Sequence, residues 1–405
     1  MEYDYLIFGS WQMKRALDFF REDGYEMTLF SIISLSILLP VYICGPVTLI
    51  VMIILVYRHR NTLKEDIHKL GWLSIFTFYT FVTAISFRNY MGAMIAVVIF
   101  LYALLFLYYK RHVTVRQYLL NLKIFVWGSI PLAALSYFKY TRDVLSQGYD
   151  LLYIFKYHNP QTRAEATLFN PNYYGLFIAM VIVIAIYLLY KYDSKTVKIL
   201  SVLAIIMNLL ALILTGSRWS IPTVVVGMVT MVFFLRPKIA WILGIIMAMA
   251  IAMLVIKPDL LPRFTTLAYG FSDRFAIWEI GWKLFITSPI VGRGPFTFVN
   301  FYYLFADRGK MHAHQLLIDT MANYGLVGLI ILIMAFTQYF RTLGHHLLRQ
   351  DIRPELGLVI ATFATVLFHG LMDVGVFWVQ MGYMFLAIVV ITPNMLEEIS
   401  KTTAK

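Results

Sequence analysis

The chain has 405 residues, 60% of them apolar and only 14% charged, with 34 Lys plus Arg against 22 Asp plus Glu and a formal net charge of +12. An ordinary soluble domain carries roughly 45–50% apolar and about 25% charged residues. The excess recurs in nearly charge-free blocks long enough to cross a bilayer, so a soluble enzyme, a disordered chain, a disulfide-stapled module and a conventional nucleic-acid binder are excluded. Cys44 is the single cysteine, so no intrachain disulfide can form.

The first 26 residues mix acidic and basic side chains with aromatics and lack a clean apolar region. They read as a cytoplasmic or interfacial segment rather than a cleavable signal. A transmembrane domain is expected over 27–393, with about twelve spans at 27–42, 45–57, 71–87, 91–109, 122–138, 173–190, 198–215, 219–235, 239–256, 314–340, 355–371 and 374–393. Met27 to Tyr57 also fits one long span broken near Pro40, Gly45 and Pro46. Residues 394–405 form a short tail. With the N-terminus inside, 21 of the 34 basic residues fall on the cytoplasmic side, and the short outer loops hold only Arg88 and Arg218. Both termini are therefore expected in the cytoplasm, and the two long connections, 139–172 and 257–313, outside.

Long loops in a compact protein are usually functional or disordered. The second is rich in aromatics and contains a predicted helix, capped by Ser272, with Asp273 in its first turn and Ser288-Pro289 at its close. Phe275, Trp278, Trp282 and Phe285 make a stripe about 80° wide on it. That stripe is explained by contact with the membrane or the helix bundle. Arg274, at its edge, is not.

Two further groups stand out on the outer side. Leu214-Thr215-Gly216-Ser217-Arg218-Trp219-Ser220 is a polar turn between apolar runs. Arg218 there is either a snorkelling interfacial arginine or, beside the backbone N–H groups and the Ser217 hydroxyl, a ligand for anionic oxygen. His312-Ala313-His314-Gln315 opens the tenth span. Two histidines spaced by one suggest a metal, but zinc needs three or four ligands and only Asp307 and Asp319 are near in sequence. His314 is placed instead for a base, since a helix N-terminus disfavours an added positive charge. His345 and His346, in a cytoplasmic basic loop, read as solvated. There is no phosphate-binding glycine loop, HExxH or GxSxG, and no outer pair of carboxylates to hold magnesium. Chemistry here must run on Arg, His and Asn-type groups without a metal.

Four blocks, in order, carry a family likeness: Thr167-Leu168-Phe169-Asn170-Pro171-Asn172-Tyr173-Tyr174-Gly175; Thr215-Gly216-Ser217-Arg218; Arg274 and Trp278 followed by Gly292-Arg293-Gly294-Pro295-Phe296; and His312-Ala313-His314-Gln315 with Tyr324-Gly325-Leu326-Val327-Gly328. Over roughly 163–328 the chain resembles the O-antigen ligase and polymerase superfamily of bacterial envelope glycosyltransferases. The resemblance implies an all-α polytopic fold of the lipid-linked GT-C type in the bacterial cytoplasmic (inner) membrane, with its site at the outer face. It implies a glycan donor on undecaprenyl diphosphate and an acceptor that is either lipid A core or another lipid-linked glycan, with no cofactor. Carried over by position, Arg218 and Arg274 would bind the diphosphate and His314 would be the general base, with His312, Ser217 and Asn172 in support. Gln315 stands where the family has Asn, which alters a contact at the start of the helix. Arg293 fills a position that is normally small, as a third anion contact or as an exposed loop arginine. The rival class, a transporter or flippase of lipid-linked sugars, requires polar groups deep in the spans; here these are chiefly Asn208, Asn323 and His369.

Overall fold

The computed structural model describes residues 24–157, 161–257, 267–307, 309–347, 349–392 and 395–399. The N-terminal segment, up to residue 23, and most of the C-terminal tail lie outside the described residues. Among those described there is no strand, and each expected apolar stretch forms a helix. In chain order these are α1 (Tyr25–Ser36), α2 (Val41–Arg58), α3 (Leu63–Leu70), α4 (Trp72–Ser86), α5 (Tyr90–His112), α6 (Val115–Ser146), α7 (Tyr153–Lys156) and α8 (Pro171–Lys191). They continue with α9 (Lys195–Thr215), α10 (Ser220–Leu235), α11 (Pro237–Ile256), α12 (Leu267–Ile286), α13 (Thr297–Phe301), α14 (Leu316–His346), α15 (Arg353–His369) and α16 (Val379–Val389). Six of them, α2, α5, α6, α8, α9 and α14, are long and apolar enough to cross a membrane. At about 1.5 Å per residue, the 21 residues of α8 reach about 31 Å, the thickness of a hydrocarbon core.

α8 is the hub. It is buried along nearly its whole length, packs against α9, α10 and α15, and contributes Leu176 through Ala185 to the central apolar cluster without a break. A helix apolar all round belongs in the interior of a bundle. α11 is the opposite case: Trp241, Ile242, Ile245, Ile246 and Met249 are all exposed, as lipid-facing side chains should be. Several of the polar groups inside the bundle are bonded. The Asn208 amide donates to Ser129 Oγ at 2.7 Å and to the Ala204 carbonyl at 2.8 Å. Lys191 pairs with Glu355 at 3.1 Å, and Glu355 also accepts from the Tyr187 hydroxyl.

Three boundaries differ from the sequence expectation. The chain between Met27 and Tyr57 is broken at Pro40, which takes the position before α2 with φ −54° and ψ 148°, while Pro46 is carried inside that helix. α6 runs to Ser146, well past the expected end of its span, because Tyr140 and Val144 continue its apolar face and pack against Tyr153 and Ile154. α12 begins at Leu267, so Ser272 lies in its second turn and does not cap it.

The element that shapes the outer side is the break in α14. Gly325 has φ 62° and ψ −172°, which interrupts the helix in its third turn. The freed backbone groups are taken up by the segment after α12: Arg293 and Gly294 N–H donate to the Asn323 carbonyl at 3.1 and 2.8 Å, and Leu326 and Val327 N–H donate to the Pro289 and Ile290 carbonyls at 2.9 and 3.0 Å. Irregular backbone within an apolar bundle survives only when paired in this way. The two chain segments approach so closely that a Cβ on Gly325 would lie 2.5 Å from Gly292 N, and one on Gly292 2.4 Å from the Asn323 carbonyl. Glycine is required at both places.

Candidate active site

Asn170 caps α8: its side-chain oxygen accepts from Asn172 N–H at 2.8 Å, and Pro171 supplies the first helical residue. That cap sets Asn172 and Tyr173 in the first turn of the central helix. Opposite them, Gln315 caps α14, accepting from Ile318 N–H at 2.5 Å. An altered contact is expected here from the sequence; the Gln315 side chain reaches a first-turn donor. The preceding residue, His314, has φ 52°, a left-handed conformation uncommon for a residue with a Cβ. Leu316 N–H donates to the Gly370 carbonyl at 2.7 Å, which fastens the start of α14 to the end of α15.

This fastening brings in a residue the sequence reading missed. Asp373, just after α15, has one carboxylate oxygen 3.2 Å from His314 Nδ1 and 3.9 Å from His312 Nε2. The same oxygen accepts from Val374 N–H, and the other accepts from the Asn172 amide at 2.9 Å. Tyr173 Oη lies 3.0 Å from His312 Nε2. Asp373 is only 2% exposed. Burial by itself raises a carboxyl pKa, but the hydrogen bond to His314 and the charges of His314, His312 and His369 outweigh it and hold Asp373 far below the usual carboxylate range. His312 moves the other way: burial, with the charges of His314 and Arg274, pushes it down to about 4 against the pull of Asp373. Nε2 is paired with the Tyr173 hydroxyl, and Nδ1 makes no hydrogen bond to another residue. The His314 side chain remains about a fifth exposed, with Nδ1 turned to Asp373 and Nε2 the nitrogen left for a substrate.

Arg274 joins this group. Its charge acts on Asp373, His312 and Tyr173, and burial draws its guanidinium below the ordinary arginine value. Arg274 Nη1 and, one turn further along α12, Trp278 Nε1 are buried without a hydrogen-bond partner. Arg218 belongs to an adjoining turn. There Ser217 Oγ is 2.6 Å from Ser220 Oγ, and Thr215 Oγ1 donates to the Leu212 carbonyl, so both hydroxyls are engaged within the turn. The turn is joined to the histidine cluster through Arg163, also unremarked in the sequence reading: its Nε donates to the Thr215 carbonyl at 2.6 Å and its Nη2 to the Asn172 side chain at 3.2 Å. Asn172 thus bridges Arg163 and Asp373.

Arg293 stands apart. It is 8% exposed, which corrects the reading of an exposed loop arginine. Its Nη1 donates to the Leu284 carbonyl at 2.9 Å, and the guanidinium lies 5.5 Å from the Phe87 ring and 5.2 Å from that of Phe301. It clamps α12 to α13 and to the end of α4.

The residues that could hold a metal ion are His312, His314 and Asp373, whose ligand atoms lie within 4.8 Å of one another. Two histidines and a carboxylate have the composition of a metal site. Against a dication stand the positive charge of Arg274 and the commitment of Asp373 to four neighbours. Neither of the carboxylates near in sequence belongs to this set: Asp319 accepts from Ala313 N–H instead, and Asp307 is not part of the group.

Fold and site together define a multi-pass helical membrane protein with an acid–histidine pair beside a half-buried arginine. A protein-family profile described as O-antigen ligase matches residues 202–333, about a third of the chain, and supports membership of the O-antigen ligase and polymerase family. That family implies a glycosyltransferase-like enzyme. The matched segment includes Arg218, Arg274, Arg293 and His314, whereas Asn172 and Asp373 lie on either side of it. No curated protein matches the chain.

Proposed function

We propose that the protein is a metal-independent inverting glycan transferase at the outer face of the bacterial cytoplasmic membrane, built on about twelve spans of the GT-C type. It moves a glycan from undecaprenyl diphosphate to an acceptor hydroxyl. The observation that carries this reading is the His314–Asp373 pair, open at His314 Nε2, beside Arg274, whose charge acts on Asp373 and His312 and whose Nη1 is buried without an acceptor. A buried guanidinium N–H left unpaired is costly, so it favours a ligand rich in anionic oxygen.

In the reaction, His314 Nε2 takes the proton of the acceptor hydroxyl, whose oxygen forms a bond to the anomeric carbon of the donor. The bond from that carbon to the diphosphate breaks, and the lipid diphosphate leaves with the electron pair, its charge held by Arg274 and Arg218. Asp373 orients His314 and stabilises the imidazolium as it forms. The leaving group is already activated, so orientation and charge stabilisation do most of the work. A transporter of lipid-linked sugars is disfavoured because the Asn208 amide nitrogen is bonded within the bundle, Asn323 within the α14 break, and His369 lies against the site at Asp373.

The test uses a deletion strain complemented with His314→Ala or Arg274→Ala. Both are expected to abolish transfer while donor lipid still accumulates; normal surface glycan with His314→Ala removes the mechanism. The same profile assigns the acceptor. Bare lipid A core with polymer left on the carrier marks a ligase, and single repeat units mark a polymerase.

A further inference from the structure

His314 adopts its left-handed conformation on a short turn, and such a conformation persists only when its surroundings over-determine it. What fixes the upstream side of this turn is a polar relay inside α14. Ala313, fully buried, donates its N–H to one oxygen of Asp319 at 2.8 Å. The other Asp319 oxygen accepts from the Asn323 amide at 2.8 Å. The Asn323 side-chain oxygen accepts from Thr297 N–H at 3.1 Å, and its backbone carbonyl accepts from Arg293 and Gly294. One continuous chain of hydrogen bonds therefore connects the Gly-Arg-Gly-Pro segment, the break in α14 and the residue between the two histidines.

We propose that Asp319 is a positioning residue for His314, holding the His312-Ala313-His314 turn through Ala313 N–H and, through Asn323, setting that turn against the loop that follows α12. The proposal rests on the reading of His314 as the general base. Asp319 itself does not touch the histidine rings or substrate; its effect passes through the backbone. The loop after α12 follows directly on the helix that carries Arg274, so the relay fixes the spacing of the base relative to the diphosphate-binding arginine.

The direction of each bond makes a sharp test. Asp319 accepts twice, whereas an amide in its place accepts once and donates once. In Asp319→Asn one N–H must therefore face another, either at Asn323 or, if Asn323 turns over, at Thr297 N–H. Exchanging the two side chains removes the conflict. The amide then accepts from Ala313 N–H and donates to the carboxylate, and the carboxylate accepts from Thr297 N–H as well. The purified full-length protein is assayed in proteoliposomes with a polyprenyl-diphosphate-linked glycan, alongside His314→Ala and with thermal melting in detergent. Asp319→Asn is expected to lower kcat about a hundredfold, the scale for misplacing a catalytic group by about 1 Å, with donor KM little changed. The double variant D319N/N323D is expected to recover kcat to within a fewfold. Wild-type kcat in Asp319→Asn, or a double variant that melts normally yet stays inactive, overturns the relay while His314→Ala remains inactive. Activity in His314→Ala instead removes the underlying reading of the base.

Discussion

Asp373→Asn preserves shape while removing a charge at the centre of the site. Asp373 lies 3.2 Å from His314 Nδ1 and 3.9 Å from His312 Nε2 and is almost wholly buried, so its charge is poorly screened. When His314 takes the acceptor proton, the new imidazolium faces a carboxylate in the wild type and a neutral amide in the variant. A hydrogen bond to a charged group contributes about 1.5–3 kcal/mol, equivalent to roughly 10- to 150-fold in rate if it is lost only in the transition state. Orientation adds to this. Asp373 accepts from Asn172, Val374 and His314 at once, and an Asn presents a donor to one of them. Together these place the expected fall in kcat at about a thousandfold, within the range for an altered acid–histidine pair, with a smaller change in donor KM. The assay is single-turnover transfer with purified protein in proteoliposomes, normalised to folded protein. A kcat within about threefold of wild type would refute the role given to Asp373.

Arg293→Ala should lower stability by about 2–4 kcal/mol, from loss of the bond to the Leu284 carbonyl and the contacts with Phe87 and Phe301, leaving donor KM of the folded fraction unchanged. A raised KM with normal melting would make Arg293 an anion contact. His312, held at about 4 in the folded protein against an ordinary 6.5, takes up its proton earlier in the unfolded chain. Its contribution is therefore complete above about pH 6.5 and lost as pH falls towards 4, by about 3 kcal/mol. His312→Gln should flatten that part of the pH–melting curve, and an unchanged curve counts against the assignment. Treatment with EDTA should leave transfer at the untreated rate; a loss reversed by one divalent metal would assign His312, His314 and Asp373 to a cation.

The apolar blocks were legible as helices because burial in lipid leaves the backbone little alternative. Their ends were less so. Lys139, Arg142 and Asp143 lower hydropathy, yet α6 continues through them because its other face still packs on Tyr153 and Ile154. In the site, Asn172, Arg274, His312 and His314 stood out as polar residues at helix ends or on an aromatic stripe, and the structure gathers them. Asp373 escaped notice because it is 59 residues from His314 in sequence and fell in what reads as a short turn between two spans. A signal was present: Asp373 is the only Asp, Glu, Lys or Arg between Glu355 and Glu397. An isolated carboxylate in such a run is expensive and marks function or pairing. Arg293 misled in the opposite sense, since the Gly-x-Gly pattern reports tight backbone packing against Asn323 and Ala84, not a loop open to ligand.

The most direct measurement is transfer by the purified protein in proteoliposomes containing undecaprenyl-diphosphate-linked glycan and acceptor. Wild-type protein should release undecaprenyl diphosphate in step with formation of a glycosidic bond of inverted anomeric configuration, and His314→Ala should bind donor but release none. Release at the wild-type rate from His314→Ala, or donor carried across the bilayer with its diphosphate bond intact, would contradict the account.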